Sequence, residues 1–316
     1  MILVTGANGF VGNALVKHLI AHSSCNGVVT AIRRPNILLP EGVRPILVGD
    51  LLPTTDWKKA LREVDTVVHC SARVHVMNDD ASDPLAEFRK VNVAGTLNLA
   101  RQAAEAGVRR FVFISSIKVN GEGTELGKPY TADDTPAPSD PYGISKLEAE
   151  QGLLRLAEDT GMEVVIIRPV LVYGRGVKAN FLSMMKWLSR GIPLPLGAIN
   201  NKRSLVSLGN LVDLVVTCMD HPAAANQVFL VSDGEDLSTT ELLRRMGKAL
   251  DKPARLLPIP ANWLTLAAAL LGKRDVAQRL CGSLQVDIQK TRRLLNWQPP
   301  LSVDQGLKQA ATGMNK

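Results

Sequence analysis

Two residues four positions apart in the chain could carry acid–base chemistry. Tyr142 and Lys146 are spaced by about one helical turn, so a phenol and an ammonium share one helix face. Pro141 precedes them, as is typical of the first turn of a helix. A phenol with a pKa of about 10 transfers protons poorly at neutral pH unless a neighbouring positive charge favours the phenolate. The pair therefore predicts a proton-transfer site, although this spacing also arises by chance in many helices.

A glycine-rich segment lies between the first apolar run of the chain and a helix-like run. Its glycines have the spacing G-x-x-G-x-x-G. In such loops the first glycine permits a tight turn, the second lets the backbone approach a pyrophosphate, and the third lets the helix pack close to the sheet. The helix N-terminus then offers free N–H groups to the phosphates. We therefore predict that a dinucleotide contacts this loop at Gly6, Asn8, Gly9, Phe10, Val11 and Gly12.

Strand-like and helix-like segments alternate through the first half of the chain. Short runs rich in valine and isoleucine predict six buried strands, at residues 2–5, 27–32, 44–48, 66–69, 110–115 and 164–168. The predicted helices between them are residues 11–22, 57–63, 85–106 and 145–160. This alternation requires crossover connections, which give a parallel sheet with helices on both faces. The sequence thus predicts an α/β fold with a doubly wound (Rossmann) parallel sheet.

The alternation ends after residue 170. Segments 204–208 and 227–231 predict two further strands with a helix at 211–219 between them, and the remainder is mainly helical. We predict a nucleotide-binding domain at residues 1–170 with a return segment at 204–232. A smaller, mostly helical substrate-binding domain would comprise residues 171–203 and 233–316.

The overall composition excludes several kinds of protein. The 316 residues are 46% hydrophobic and 21% charged, as in ordinary globular proteins, and the net charge of +7 suits either a solvated surface or an anionic ligand. No DNA-binding signature, metal-binding cysteine pattern or signal peptide is apparent. The apolar stretch at 263–271 is too short to span a bilayer and predicts a packed helix or an interfacial contact. We expect a soluble cytoplasmic protein without nucleic acid, metal or an integral membrane span.

The end of the second predicted strand bears on the choice of dinucleotide. An acidic residue at this position accepts hydrogen bonds from the ribose 2′-hydroxyl, whereas an arginine accommodates a 2′-phosphate. Arg33 and Arg34 follow this strand, and neither neighbour is acidic. The sequence therefore favours NADP(H) as the cofactor, with NAD(H) possible.

Taken in order, these motifs resemble the extended short-chain dehydrogenases/reductases, the NAD-dependent epimerase/dehydratase family. The strand end at Ser115 and Ser116 is similar to the family motif Ser-Ser-x-x-Val-Tyr-Gly. The resemblance implies that Ser116 binds the reacting oxygen, that Tyr142 transfers its proton, and that Lys146 holds the cofactor ribose. His69 is interpreted as a structural histidine. Further cofactor contacts implied by the resemblance are Asp50, Leu51, Ser71, Ala72, Asn92 and Pro169.

The second half resembles UDP-galactose 4-epimerases, from Arg-Pro at 168–169 to Tyr-Gly at 173–174. This resemblance implies that Asn180, Phe181 and Arg203 contact a UDP-sugar, and Arg203 has the planar fork that suits a diphosphate. We also expect Lys118 to contact the substrate. It stands where sugar-nucleotide dehydratases carry an acid pair, which makes a dehydratase a poor match.

Three functions remain open on this resemblance. Residues 114–122 are similar to bacterial reductases that make UDP-N-acetylquinovosamine for surface polysaccharide, so we predict NADPH-dependent reduction of the C4 ketone of a UDP-4-keto-6-deoxy-N-acetylhexosamine. The alternative enzyme is a UDP-hexose or UDP-N-acetylhexosamine 4-epimerase with bound NAD. The non-enzymatic alternative is an NAD(P)-sensing regulator. The family habit implies a homodimer formed through helices 85–106 and 145–160.

Overall fold

The computed structural model describes residues 1–22, 27–35, 39–74, 83–272 and 274–313. Its strands are β1 (Ile2–Thr5), β2 (Val28–Ile32), β3 (Val43–Leu47), β4 (Thr66–His69), β5 (Arg110–Ile114), β6 (Glu163–Pro169), β7 (Leu171–Tyr173), β8 (Arg203–Ser207), β9 (Gln227–Val231) and β10 (Asp236–Leu237). The α-helices are α1 (Phe10–Ala21), α2 (Pro84–Phe88), α3 (Thr96–Glu105), α4 (Pro141–Thr160), α5 (Ala179–Ser189), α6 (Leu208–Asp220), α7 (Thr239–Ala249), α8 (Ala261–Leu270), α9 (Arg274–Cys281), α10 (Gln289–Leu295) and α11 (Val303–Thr312).

In the described part of the chain, seven parallel strands form the central sheet in the order β3-β2-β1-β4-β5-β6-β9. The six predicted strands of the first half are confirmed, and β9 extends the sheet beside β6. Strands β1, β4 and β5 are buried along their whole length, because helices cover both faces of a parallel sheet. The doubly wound α/β fold predicted from the sequence is therefore confirmed.

Alternate residues of each strand supply two apolar cores, one on each face of the sheet. On β5, Phe111 and Phe113 pack in one core, whereas Val112 and Ile114 pack in the other. This alternation follows from the two-residue period of a strand. A third core lies in the C-terminal part, between α5, α7, α11 and a small sheet.

The small sheet has the order β10-β8-β7 and contains part of the segment that we expected to return to the central sheet. Strand β9 makes that return, whereas β8 pairs with β7 and β10. The predicted boundary between two domains remains a prediction. Of the helices that the structure describes, none is long and apolar enough to cross a membrane.

Two of the predicted helices differ from the structure. Residues 57–63 form hydrogen-bonded turns rather than a helix, and Glu63 adopts the left-handed conformation (φ 61°), which ends any helical run. The predicted helix 85–106 is divided into α2 and α3 by a π-helical turn at Arg89–Gly95. Both differences depend on local backbone conformation. The spacing of apolar residues gives no information on it.

A buried ion pair joins the catalytic-side helix α4 to β6. Arg168 Nε and Nη2 donate to both oxygens of Glu150 at 2.6–3.1 Å, and the two side chains are only 4% and 2% exposed. Ser115 Oγ also donates to Glu150, and Arg168 Nη1 donates to Asn120 Oδ1 at 3.0 Å. Charged groups this deeply buried are tolerated because each is paired and hydrogen-bonded.

Removing one partner of this pair should destabilise the protein strongly. The Glu150→Gln variant leaves the Arg168 guanidinium buried without a counter-charge, so we expect a loss of about 3–5 kcal/mol in the free energy of unfolding. Urea denaturation of both proteins measures it. The matched control is Glu125→Gln, whose ion pair with Lys128 is 75% exposed on both sides and should contribute less than about 1 kcal/mol. Equal losses in the two variants would contradict the central role of the buried pair.

Candidate active site

The predicted site residues gather at the carboxyl-terminal edge of the central sheet. Thr5, His69 and Phe113 lie side by side in neighbouring strands, so the segments that follow them begin at the same edge. The strand order reverses at this point, because β1 connects toward β2 and β3 while β4 leads to β5 and β6 on the other side. Ligands of doubly wound sheets bind in the crevice at such a switch point.

The glycine loop has the close backbone approach that its sequence predicts. Gly6 has a φ of +70°, and a Cβ on it would lie 2.9 Å from the Ser71 backbone nitrogen. A Cβ on Gly12 would lie 2.2 Å from the Gly6 carbonyl oxygen, so no side chain fits between β1 and α1. Gly9, the residue preceding α1, gives no side-chain cap to the first N–H groups of that helix. This cradle fits a dinucleotide pyrophosphate.

Helix α4 carries the predicted catalytic pair. Asp140 caps its N-terminus, with Oδ1 accepting from the Gly143 backbone nitrogen at 2.6 Å. Lys146 Nζ lies 5.9 Å from the centroid of the Tyr142 ring, so the two side chains are brought together. The buried Lys146 ammonium also donates to the Ile114 carbonyl at 2.9 Å, which ties the helix to the end of β5.

Burial disfavours the charged forms of both catalytic side chains. It lowers the pKa of Lys146 to about 8, against the opposing effect of the Glu150 carboxylate one turn further on. Burial, together with the nearby Asp140 carboxylate, raises the pKa of Tyr142 to about 12. The lower tyrosine pKa expected from Lys146 together with a positively charged nicotinamide remains a prediction. The Lys146 ammonium is directed to the Ile114 carbonyl and lies 4.3 Å from the centroid of the Phe113 ring.

Asn92 connects the cofactor side of the crevice to the catalytic helix. It is buried in the π-helical turn, and its Oδ1 accepts from the Arg73 backbone nitrogen at 2.8 Å. Its Nδ2 donates to the Arg73 carbonyl and to Ser145 Oγ, both at 3.0 Å. Ser71 and Ala72 immediately precede Arg73, whose backbone is held by Asn92. Such π turns are frequent at functional sites.

His69 is a satisfied structural residue, as the sequence analysis proposed. Its ring nitrogens hydrogen-bond with Thr5 Oγ1 at 2.8 Å and with Thr96 Oγ1 at 3.0 Å, and the ring stacks on Phe113. Full burial lowers the pKa of His69 to about 3, with the Lys146 ammonium acting in the same direction. The side chain is thus neutral at physiological pH.

Ser116 and Lys118 follow the end of β5. Ser116 Oγ accepts from the Lys118 backbone nitrogen at 3.2 Å and begins a 3₁₀ turn at Ile117–Val119. The Lys118 ammonium forms ion pairs with Asp140 and, at 3.0 Å, with Glu122. Lys118 therefore contacts Asp140, the residue that caps α4, and the sequence did not predict this contact. An aspartate directly before Pro141 is the sequence signal for that cap.

The residues predicted to select the cofactor lie together beyond β2 and β3. Arg33 and Arg34 directly follow β2, and Arg33 Nη1 lies 3.7 Å from Asp50 Oδ1 with both side chains largely exposed. Thr55 Oγ1 donates to the Asp50 carbonyl at 2.5 Å, and Leu51 is buried beside it. At the opposite side of the crevice, Pro169 is the buried last residue of β6.

The predicted substrate residues differ in exposure. Asn180 is exposed near the start of α5, whereas Phe181 packs in the C-terminal core and stacks on Tyr173 at 5.3 Å between ring centroids. Arg203 is partly buried, and its Nη1 donates to the Gly282 carbonyl at 3.2 Å. Burial lowers the pKa of Arg203, and no ion pair between described side chains includes it. Arg203 is therefore a partly buried cation without a carboxylate partner in the described part of the chain, and the substrate contacts of all three residues remain predictions.

The lowered pKa of Lys146 makes stability depend on pH. Because this pKa is about 8 in the fold and 10.5 in a free side chain, the unfolded chain binds more protons between these values. The free energy of unfolding therefore rises with pH in this window. Relative to Lys146→Met, the wild type should gain up to about 3 kcal/mol from pH 8 to 10.5. Urea denaturation across this range measures it.

The control for that measurement is Lys128→Met, which removes an exposed ammonium. Its unfolding free energy should follow the wild-type pH dependence. Parallel curves for the wild type and Lys146→Met would show that the buried lysine does not carry the effect.

Comparison with known proteins agrees with this geometry. A curated relative from Vibrio cholerae, named UDP-glucose 4-epimerase, is 54% identical and covers 98% of this chain and 94% of its own length. A relative from Escherichia coli O157:H7, named N-acetyl-alpha-D-glucosaminyl-diphospho-ditrans,octacis-undecaprenol 4-epimerase, is 28% identical and covers 97% and 92%. The solved structure of MoeE5 with UDP-glucose and NAD is 25% identical, with a TM-score of 0.77 and coverage of 99% and 98%.

A family profile matches most of the chain as well. The match extends over residues 2–232, from β1 through β9, and includes the glycine loop, the Tyr142–Lys146 pair and Arg203. An NAD-dependent enzyme is thus established at the level of the family, as the resemblance implied. The chain belongs to the NAD dependent epimerase/dehydratase family.

Proposed function

We propose that the protein is a UDP-hexose 4-epimerase that retains NAD through its catalytic cycle. The observation that carries the proposal is the 54% identity to the Vibrio cholerae UDP-glucose 4-epimerase, which extends through both halves of the chain. The MoeE5 structure contains UDP-glucose and NAD in a similar fold. This support favours the epimerase that was the alternative in the sequence analysis over the predicted 4-ketoreductase.

The cofactor would lie along the switch point of the central sheet. The cradle at Gly6, Gly9 and Gly12 would hold its pyrophosphate, and Lys146 would hold the adjoining ribose. When bound, NAD supplies a reversible hydride acceptor and an added positive charge. Asn92 would keep the segment at Arg73 fixed against α4 while the ligands bind.

The proton transfer would be carried out by side chains of β5 and α4. Tyr142 would remove the proton from the sugar C4 hydroxyl and later return it, and Ser116 would bind the same oxygen. Lys146 places a positive charge 5.9 Å from the centroid of the Tyr142 ring. On the far side of the sugar, the Arg203 guanidinium would bind the diphosphate of UDP.

The surroundings of Lys118 argue against dehydration of the sugar. Elimination of water needs a carboxyl group that is free to move protons. Asp140 and Glu122, the carboxylates that contact Lys118, are both held by its ammonium. A simple oxidation and reduction at C4 makes no such demand, which agrees with the proposed epimerase.

We expect the purified protein to interconvert UDP-glucose and UDP-galactose without net consumption of a nicotinamide. Product is followed by chromatography of the UDP-sugars. Tyr142→Phe removes the proton-transfer group and should lower kcat by about 10²–10⁴-fold. The matched control is Tyr130→Phe, which removes a phenol that donates to the Gly123 carbonyl and should keep kcat near the wild-type value. Unchanged turnover in Tyr142→Phe would overturn the assigned chemistry.

A second candidate is the NADPH-dependent 4-ketoreductase predicted from the sequence. The observation that favours it is the pair Arg33 and Arg34 at the end of β2, in place of an acid. Both candidate reactions would take place in the cytoplasm. The homodimer implied by the family resemblance remains a prediction for both.

The two candidates differ in their consumption of NADPH. A reductase would oxidise NADPH stoichiometrically with UDP-4-keto-6-deoxy-N-acetylglucosamine, followed by absorbance of the reduced nicotinamide. Replacing both Arg33 and Arg34 by Ala would remove charges that meet a 2′-phosphate and raise the KM for NADPH about tenfold or more, with no change for NADH. Under the proposed epimerase, neither nicotinamide is consumed.

A further inference from the structure

An unusually apolar surface lies on the C-terminal part of the protein, around α5, α8 and α9. Most of the large apolar side chains that are exposed in the described residues belong to it, and Trp263 and Leu270 are 70% and 80% exposed. We call this surface the apolar face. Its members are Trp187, Ile192, Leu257, Trp263, Leu266, Leu270, Leu271 and Val276.

Helix α8 forms the centre of the apolar face. Its sequence, ANWLTLAAAL, contains no charged residue, yet none of its side chains is buried. Leu264 and Ala268 line a mainly apolar cavity of about 420 Å³ between α5, α8 and α9. Trp263, Leu266 and Leu270 lie outside this lining and are exposed. Contiguous apolar surface of this kind marks an interaction site.

Two chain segments that contribute to the apolar face are basic. Residues 178–203 contain five lysines and arginines and no acidic residue, and residues 252–272 contain two and no acidic residue. Isolated bridges pair Leu194 with Leu256 and Ala198 with Pro260, so the two segments lie side by side. Lys186, Arg190 and Arg255 are exposed, and no ion pair between described side chains includes them.

We propose that the apolar face docks on the surface of an anionic lipid bilayer. Trp263, Leu266 and Leu270 would enter the interface between headgroups and acyl chains, while Lys186 and Arg190 would meet the headgroups. Exposed tryptophan and leucine side chains bind at the boundary between headgroups and acyl chains, and nearby lysines and arginines attract an anionic surface. A helix of 10 residues is too short to span the bilayer, so the contact is peripheral.

A second copy of the chain fits this surface less well. A symmetric contact would place the same patch on both subunits, so the basic segments would face each other across it. Like charges held close together without intervening acids oppose such an interface. An anionic bilayer instead complements the apolar centre and the basic surroundings together. The proposal is independent of the proposed epimerase activity, because it uses no residue of the catalytic pair or cofactor cradle.

Co-sedimentation with vesicles tests the proposal. We expect the wild type to bind vesicles of phosphatidylglycerol and phosphatidylcholine and to bind pure phosphatidylcholine weakly. Replacing Trp263, Leu266 and Leu270 together by Ser should lower binding to the anionic vesicles by about tenfold or more. Lys186→Glu combined with Arg190→Glu should lower it as well, and raised salt should weaken the wild type. The matched control is Leu126→Ser, an exposed leucine outside the apolar face, with unchanged binding.

Two further measurements separate a loss of membrane binding from a loss of folding or activity. The serine variant changes exposed positions only, so its urea midpoint and its turnover of soluble UDP-sugar should match the wild type. Absence of binding to the anionic vesicles, or equal binding by the wild type and the serine variant, would overturn the proposal. A wild-type dimer in light scattering that the serine variant dissociates, without vesicle binding, would also overturn it and assign the apolar face to a second copy of the chain.

Discussion

The buried ion pair between Glu150 and Arg168 is the constraint on which the geometry around Tyr142 and Lys146 depends. It joins α4 to β6 at the sheet edge, and the hydrogen bond from Ser115 adds the end of β5. Lys146 lies one helical turn before Glu150 and donates to the carbonyl of Ile114, the residue preceding Ser115. The orientation of Lys146 is therefore fixed by the same three elements that the ion pair holds together. A buried pair is costly to desolvate, so its value here is the positioning it provides.

The electrostatics of the site follow from the same burial. A buried ammonium loses its proton more easily, and a buried phenol keeps its proton more firmly. Burial lowers the pKa of Lys146 and raises the pKa of Tyr142, and the Asp140 carboxylate also raises the pKa of Tyr142. The protein alone therefore holds the tyrosine protonated. A reaction that needs the phenolate depends on a further positive charge beside Tyr142, and an oxidised nicotinamide carries one.

The sequence predicted those features that depend on local pattern. Short apolar runs identified the strands of the central sheet, and the spacing of Tyr142 and Lys146 placed both on α4. Features that depend on contacts distant in sequence were missed. The π turn around Asn92 breaks a segment whose apolar pattern is that of one helix, and the pairing of β8 with β7 depends on the C-terminal core. Lys118 could be recognised as a partner of Asp140 only once the end of β5 and the start of α4 were brought together.

The positive net charge of the protein is concentrated in the second half of the chain. Residues 1–170 contain 18 lysines and arginines against 20 acidic residues, whereas residues 171–316 contain 19 against 10. In the first half the deeply buried Arg110 and Arg168 are paired with Glu163 and Glu150. The surplus therefore belongs to the half that holds Arg203 and the apolar face. A diffuse charge would only keep a protein in solution, but a charge confined to one half favours anions there. The diphosphate of a UDP-sugar and an anionic bilayer surface are two partners for which that half is suited.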